Sequence, residues 1–124
     1  MWVKTNENPV SANTGDCAVR AISIALGISW EKAYTLLSVN GFLMGLLPDR
    51  DAVWSSVLRQ HGFKKHLVPN CPDCYTVREF CMDYPRGTYV LKCEMHVLTV
   101  IDGSYYDSWD SGNEPVLYFW SKED

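Results

Sequence analysis

The apolar residues pass from mainly helical to strand-like spacing near Gly87, and that change limits the folds open to this chain. Upstream they recur at helical spacing. Ala18, Ala21, Ile22, Ala25 and Leu26 form one stripe, followed by Gly27, which suits a left-handed C-terminal cap. Thr14, Gly15 and Asp16 precede that stripe, with short polar side chains able to cap the first free amides. Ser29 opens a second stripe of Trp30, Ala33, Tyr34 and Leu37. Gly41 to Pro48 then reads as a mobile apolar loop. A third helix is expected from Asp49, carrying Val53, Trp54, Val57 and Leu58 and stopping at Gly62. Phe63 to Val68 reads as a short strand. Thr76-Val-Arg-Glu79 is a capping box for a short helix that Pro85 terminates.

Downstream of Gly87 the pattern is strand-like. Thr88 to Cys93, His96 to Ile101, Tyr105 to Trp109 and Pro115 to Trp120 are rich in β-branched and aromatic residues. Asp102-Gly103 between two of these runs is a strong hairpin signal. The first dozen residues are polar and turn-prone, and Pro9 forbids an early helix. With no repeat, linker or low-complexity tract, residues 1–124 form one expected α+β domain of N-terminal helices packed on a C-terminal antiparallel β-sheet.

Composition removes several function classes. At 47% hydrophobic and a net charge of -4, the chain is neither disordered nor a carrier of the positive field that draws in nucleic acid. No apolar run approaches the roughly 20 residues of a membrane span, so no membrane partner is expected. Met1 to Pro9 contain no apolar signal core, which makes the cytoplasm the expected compartment. Five cysteines in that setting read as thiols, and the odd count agrees.

One thiol stands apart. Cys17 falls in the first turn of the first helix, where unpaired amides and the helix dipole favour a thiolate. A neighbouring carboxylate, Asp16, works the other way and is assigned to capping. His96 opens a strand, where a general base would sit if helix and sheet pack together. If Asp102 and Gly103 are the two central residues of a tight hairpin, Ile101 faces Ser104 and His96 faces Trp109. Asp107 then lies one diagonal step from His96 on the same face, able to accept the far ring N–H. A three-residue loop would bring Asp110 there instead, so Asp110 is the reserve acid. Trp109 and Tyr105 share the His96 face, with Trp109 a candidate to shield the His–Asp bond.

The order Cys17, His96, Asp107 resembles that of the papain-like thiol hydrolases, as does the expected layout. The stretch Thr-Gly-Asp-Cys17-Ala-Val-Arg-Ala-Ile-Ser-Ile-Ala-Leu-Gly resembles the Asp-Cys helix start of bacteriocin-processing cysteine peptidases. With His96-Val-Leu-Thr-Val-Ile-Asp-Gly-Ser-Tyr-Tyr-Asp107, the whole is similar to small papain-like proteins of bacteriophages and their hosts. The resemblance implies a papain-like fold, a nucleophile at Cys17, a base at His96 and an orienting acid at Asp107. A phage origin would place the chain in the cytoplasm of a bacterial host cell. One position departs from the pattern. Ser11 stands about six residues before the nucleophile, where papain-like enzymes carry an oxyanion-binding glutamine. Asn13 and Asn8 are the nearest amide donors, with the Cys17 backbone N–H as the second.

The expected function is a cysteine-dependent acyl hydrolase acting on a peptide or protein substrate, with no metal or organic cofactor. The alternative is a catalytically silent module that captures a host factor or small ligand, and the apolar Gly41–Pro48 segment supports it. Cys71-Pro-Asp-Cys74, with Cys81, Cys93 and His66, offers a weaker zinc or redox reading, set against plain half-buried thiols around a turn. Lys64-Lys65-His66 is read as a solvated face.

Overall fold

Helical and extended segments separate in space much as they do along the chain. The computed structural model describes residues 1–12, 14–68 and 75–122. Its elements run β1 (Trp2–Lys4), α1 (Cys17–Leu26), α2 (Trp30–Met44), α3 (Asp51–Gln60), β2 (Phe63–Leu67), α4 (Val77–Asp83), β3 (Thr88–Lys92), β4 (Val97–Ile101), β5 (Ser104–Asp107) and β6 (Tyr118–Lys122). The strands form one sheet in the order β1-β5-β4-β3-β6-β2. The class is α+β.

Local chemistry accounts for several boundaries. Gly27 ends α1 in the left-handed region at φ 65°. The Ser29 side chain caps α2 by accepting from the Lys32 amide, and Thr76 and Glu79 form the expected capping box on α4. Asp102 and Gly103, at φ 49° and 78°, turn the β4–β5 hairpin with Ile101 opposite Ser104, the two-residue register read from the sequence.

Strand alternation divides the core in two. Val90 and Trp120, paired across β3 and β6, join the cluster of Ile22, Leu37, Trp54 and Leu58 from α1, α2 and α3. Their neighbours Leu91 and Phe119 join Val77 and Phe80 of α4 in a second cluster. The sheet is therefore covered by α1–α3 on one face and by α4 on the other. A buried hydrogen bond of 2.7 Å from Thr99 Oγ1 to the Ala21 carbonyl pins α1 to β4.

Four expectations are corrected. The sheet is mixed, because β1 pairs with β5 in parallel, at Trp2↔Tyr105 through Lys4↔Asp107. Three residues are too few to show alternation, so β1 was hidden in a polar stretch. Gly41 to Met44 belong to α2 rather than to a loop, and Gly45 at φ 73° ends the helix. Gly41 is buried there and lets the following turn fold back, its carbonyl accepting from Leu46 N at 2.8 Å. Helix α3 begins at Asp51, two residues after the expected start. The last two strands differ in extent. β5 stops at Asp107 instead of Trp109, and β6 runs from Tyr118 to Lys122 while Pro115 makes only an isolated bridge to Thr76.

The tight turn after α2 gives a direct test. A Cβ at Gly41 would stand 2.7 Å from the Leu46 carbonyl oxygen, a backbone atom that cannot swing aside. Gly41→Ala gains up to about 1 kcal/mol of helix propensity, but overpacking costs about 1–3 kcal/mol. The expected outcome is a lowered melting temperature and urea midpoint. An unchanged midpoint would show that this turn yields freely.

Candidate active site

Helix α1 begins at the end of the sheet where β4 starts and β5 stops, so Cys17, His96 and Asp107 arrive together from three parts of the chain. The hairpin sets two of them. His96 Nε2 and Asp107 Oδ2 lie 2.6 Å apart, with the residues only 7% and 1% exposed. With Nε2 committed to the carboxylate, Nδ1 is the nitrogen left for the thiol. The His96 side chain and the Val97 amide lie close enough to Cys17 to favour its thiolate.

Burial pushes the Cys17 thiol up. Hydrogen bonds from His96 and Val97, followed by the positive charges of His96 and Arg20, outweigh it and bring the thiol below its ordinary value. For His96 burial acts downward, but its bonds to Asp107 and Cys17 and their negative charges raise it to about 9. Burial opposes ionisation of Asp107 as well. Bonds from His96 and Ser111, the His96 charge and the Ser108 amide hold it below the usual carboxylate range. Together these shifts favour a thiolate–imidazolium pair beside an ionised carboxylate. Other described thiols move the opposite way: burial drives Cys81 up, and burial with the charges of Glu114 and Asp107 drives Cys93 to about 12.

Asp16 does not do what was expected of it. It holds the N-cap position, yet its side chain makes no cap hydrogen bond. Its Oδ1 accepts from Arg20 Nε at 3.0 Å, and its Oδ2 from Trp30 Nε1 at 2.9 Å and Asn8 Nδ2 at 3.3 Å. Burial raises its carboxyl, and these donors with the Arg20 charge more than reverse that. The first amides of α1, including that of Cys17, are thus left without a side-chain cap.

Two residues missed in the sequence complete the surroundings of Asp107. Arg20 Nη1 donates to its Oδ1 at 3.2 Å, and Ser111 Oγ donates to its Oδ2 at 2.6 Å. Arg20 carried a legible signal, a charged residue inside an apolar helix and four places after Asp16. Ser111 carried none. Strand β1 adds a backbone hold, since Trp2 Nε1 and Thr5 N donate to the Asp107 carbonyl at 3.2 and 3.0 Å.

The remaining candidates divide. The Trp109 ring sits 5.0 Å from that of His96. Asp110 is engaged elsewhere, accepting from the Tyr105 hydroxyl and the Gly112 amide. Asn8 is built into a turn, with its Oδ1 accepting from Val10 N and its carbonyl from Ser11 N. Asn13, Cys71 and Cys74 lie outside the described residues. A cavity of about 390 Å³ adjoins the site, bounded by Thr14, Asp16, Arg20, Ser108 and Trp109 among others. Among the described residues, no group of three or more His, Cys, Asp or Glu is arranged to hold a metal ion, and no helix is long and apolar enough to cross a membrane. No protein-family model, curated protein or solved structure matches the chain.

These shifts predict an unusual pH profile of stability. His96, raised from 6.5 to about 9, contributes stability that is complete below its unfolded value and is lost as pH rises through about 9. Cys17, lowered from 9.0, contributes stability that is present above that value and is lost as pH falls through its folded one. Between the folded values of Cys17 and His96, the folded pair carries its proton on the ring, whereas the unfolded chain above about 6.5 carries it on sulfur, so the two slopes oppose. Cys17→Ala removes one limb. Its urea midpoint should fall as pH rises from about 6.5, more steeply than the wild-type midpoint, which the Cys17 limb offsets. Parallel profiles for the two proteins would contradict the ion pair.

Proposed function

We propose that this chain is a papain-like thiol hydrolase that cleaves a peptide or isopeptide carbonyl through Cys17, His96 and Asp107. One observation carries the reading: at the uncapped start of α1, where Cys17 stands, the His96 ring is held through Nε2 at 2.6 Å by the buried Asp107 carboxylate, which leaves Nδ1 for the thiol. The Cys17 thiolate attacks the acyl carbon, and the carbonyl electrons move onto oxygen. His96 gives its proton to the amine as the C–N bond breaks, leaving a thioester on Cys17. Water then attacks the thioester, losing a proton to His96, and the thiolate departs with the acid released.

The supporting roles follow from position. Asp107 fixes the ring tautomer and stabilises the imidazolium. The Cys17 amide supplies one oxyanion donor. Asn8, with one Nδ2 hydrogen on Asp16 and a second remaining, is the candidate for the other. Trp109 screens the His–Asp bond from water. A reducing compartment such as the cytoplasm suits a nucleophile that must stay a thiol.

A second reading has its own support. Phe42 and Leu43, 84% and 75% exposed, project with Val39 and Leu47 from the end of α2 and the turn after it. Apolar surface of that kind suits a module that captures a host protein. Cys17→Ser separates the two, because capture would survive it and hydrolysis would not.

The first reading is tested with p-nitrophenyl acetate. Wild-type protein should release a burst of p-nitrophenolate and carry the acetyl group on Cys17 by peptide mass spectrometry. Cys17→Ala and His96→Ala should abolish the burst, and Asp107→Asn should slow it by about 100-fold or more. Iodoacetamide should label Cys17 well below pH 8, and lose that reactivity in His96→Ala. Absence of both the burst and the early labelling in folded protein would end the hydrolase reading.

A further inference from the structure

The contacts around Asp107 close into a ring. From Cys17 they pass through His96 to Asp107 Oδ2, from Asp107 Oδ1 to Arg20 Nη1, and from Arg20 Nε to Asp16 Oδ1. Asp16 is the residue bonded covalently to Cys17, so nucleophile and acid are joined by two routes. An Asp–Arg pair one helical turn apart is usually a solvated surface device of small effect. This one is buried at both ends, with Arg20 8% and Asp16 8% exposed.

The geometry of Asp107 shows what the guanidinium does. Its Oδ2 takes donors from His96 and Ser111, and its Oδ1 from Arg20 and the Ser108 amide. Without Arg20, Oδ1 would keep only the amide of the adjoining residue, and the carboxylate would be held against His96 less firmly. A guanidinium suits such a bridge because its rigid fork reaches two carboxylates and stays charged.

We propose that Arg20 is a positioning residue of the site, bridging Asp16 and Asp107 so that the acid holding His96 stays fixed and the carboxylate charge beside Cys17 is offset. This rests on the reading of Cys17 as a nucleophile. Among the described residues the charged groups facing Arg20 are Asp16 before α1, Cys17 on α1 and Asp107 at the end of β5, with His96 beyond Asp107. Among the described residues, α2 adds the neutral Trp30 indole, the N-terminal segment the neutral Asn8 amide, and the loop after β5 the neutral Ser108 and Ser111. A carboxylate adjoining a thiolate, as Asp16 adjoins Cys17, opposes its charge by like-charge repulsion, whereas the Arg20 charge favours it. The two partners of one ion pair therefore act on the sulfur with opposite sign.

That opposition is measurable from the rate of iodoacetamide labelling of Cys17 against pH, read by peptide mass spectrometry on folded protein. Asp16→Asn should move the acid limb of the profile to lower pH, and Arg20→Met should move it higher. Each displacement should change the rate on the limb by about three- to tenfold, equivalent to a half to one pH unit. Should Arg20→Met alone fail to fold with two carboxylates unpaired, the double variant Asp16→Asn/Arg20→Met removes one charge of each sign. Its limb should lie above that of Asp16→Asn by the same amount. Displacement of both single variants in one direction, or coincident limbs for Asp16→Asn and the double variant, would overturn the proposal. A wild-type thiol with no early limb would instead overturn the nucleophile reading beneath it.

Discussion

A carboxylate removed from water must be met by donors or it does not stay charged, and Asp107 is the residue in which that requirement organises the molecule. Its side chain, 1% exposed, is met by four donors from four residues, and its carbonyl by two more from the N-terminal segment. These come from α1, from the residue before β4, from the loop after β5 and from the segment of β1. The parts of the chain that converge there share no local sequence signal. What they share is one anion.

The sheet supplies the rigidity that this convergence needs. Apolar clusters press on both of its faces, and Phe80 lies 4.4 Å from Tyr84 and 4.9 Å from Phe119, centroid to centroid, under the second face. Helix α1 is anchored to β4 through Thr99, one turn along from the thiol. A reactive group carried by packed elements keeps its geometry better than one carried by loops. Its support is completed by the loop of Ser108 and Ser111, which is tied back through Arg78 N to the Gly112 carbonyl at 2.9 Å.

How much was legible in the sequence followed from how local each interaction is. The capping box at Thr76 and Glu79 and the Asp102-Gly103 turn depend on residues a few places apart, so they could be read directly. From that turn the meeting of His96 with Asp107 followed by alternation. The end of α2 could not be read, because Gly41 looks like a breaker until the chain after it folds back over its missing side chain. Strand β1 exists through its neighbour β5, and three residues carry no pattern of their own. Asp16 looked like a cap because cap preference is a local property. The distant Trp30 and the nearby Arg20 and Asn8 outbid it.

The outer strands of the sheet have a bearing on how this protein keeps to itself. Among the described residues one margin is β1, three residues long, and the other is β2, where Lys64 and Lys65 stand exposed. A foreign strand seeking a template would find the first too short to grip and the second lined with ammonium groups. Charge at such a margin disfavours fibril-like stacking, and neutralising Lys64 and Lys65 would take that charge from the β2 edge.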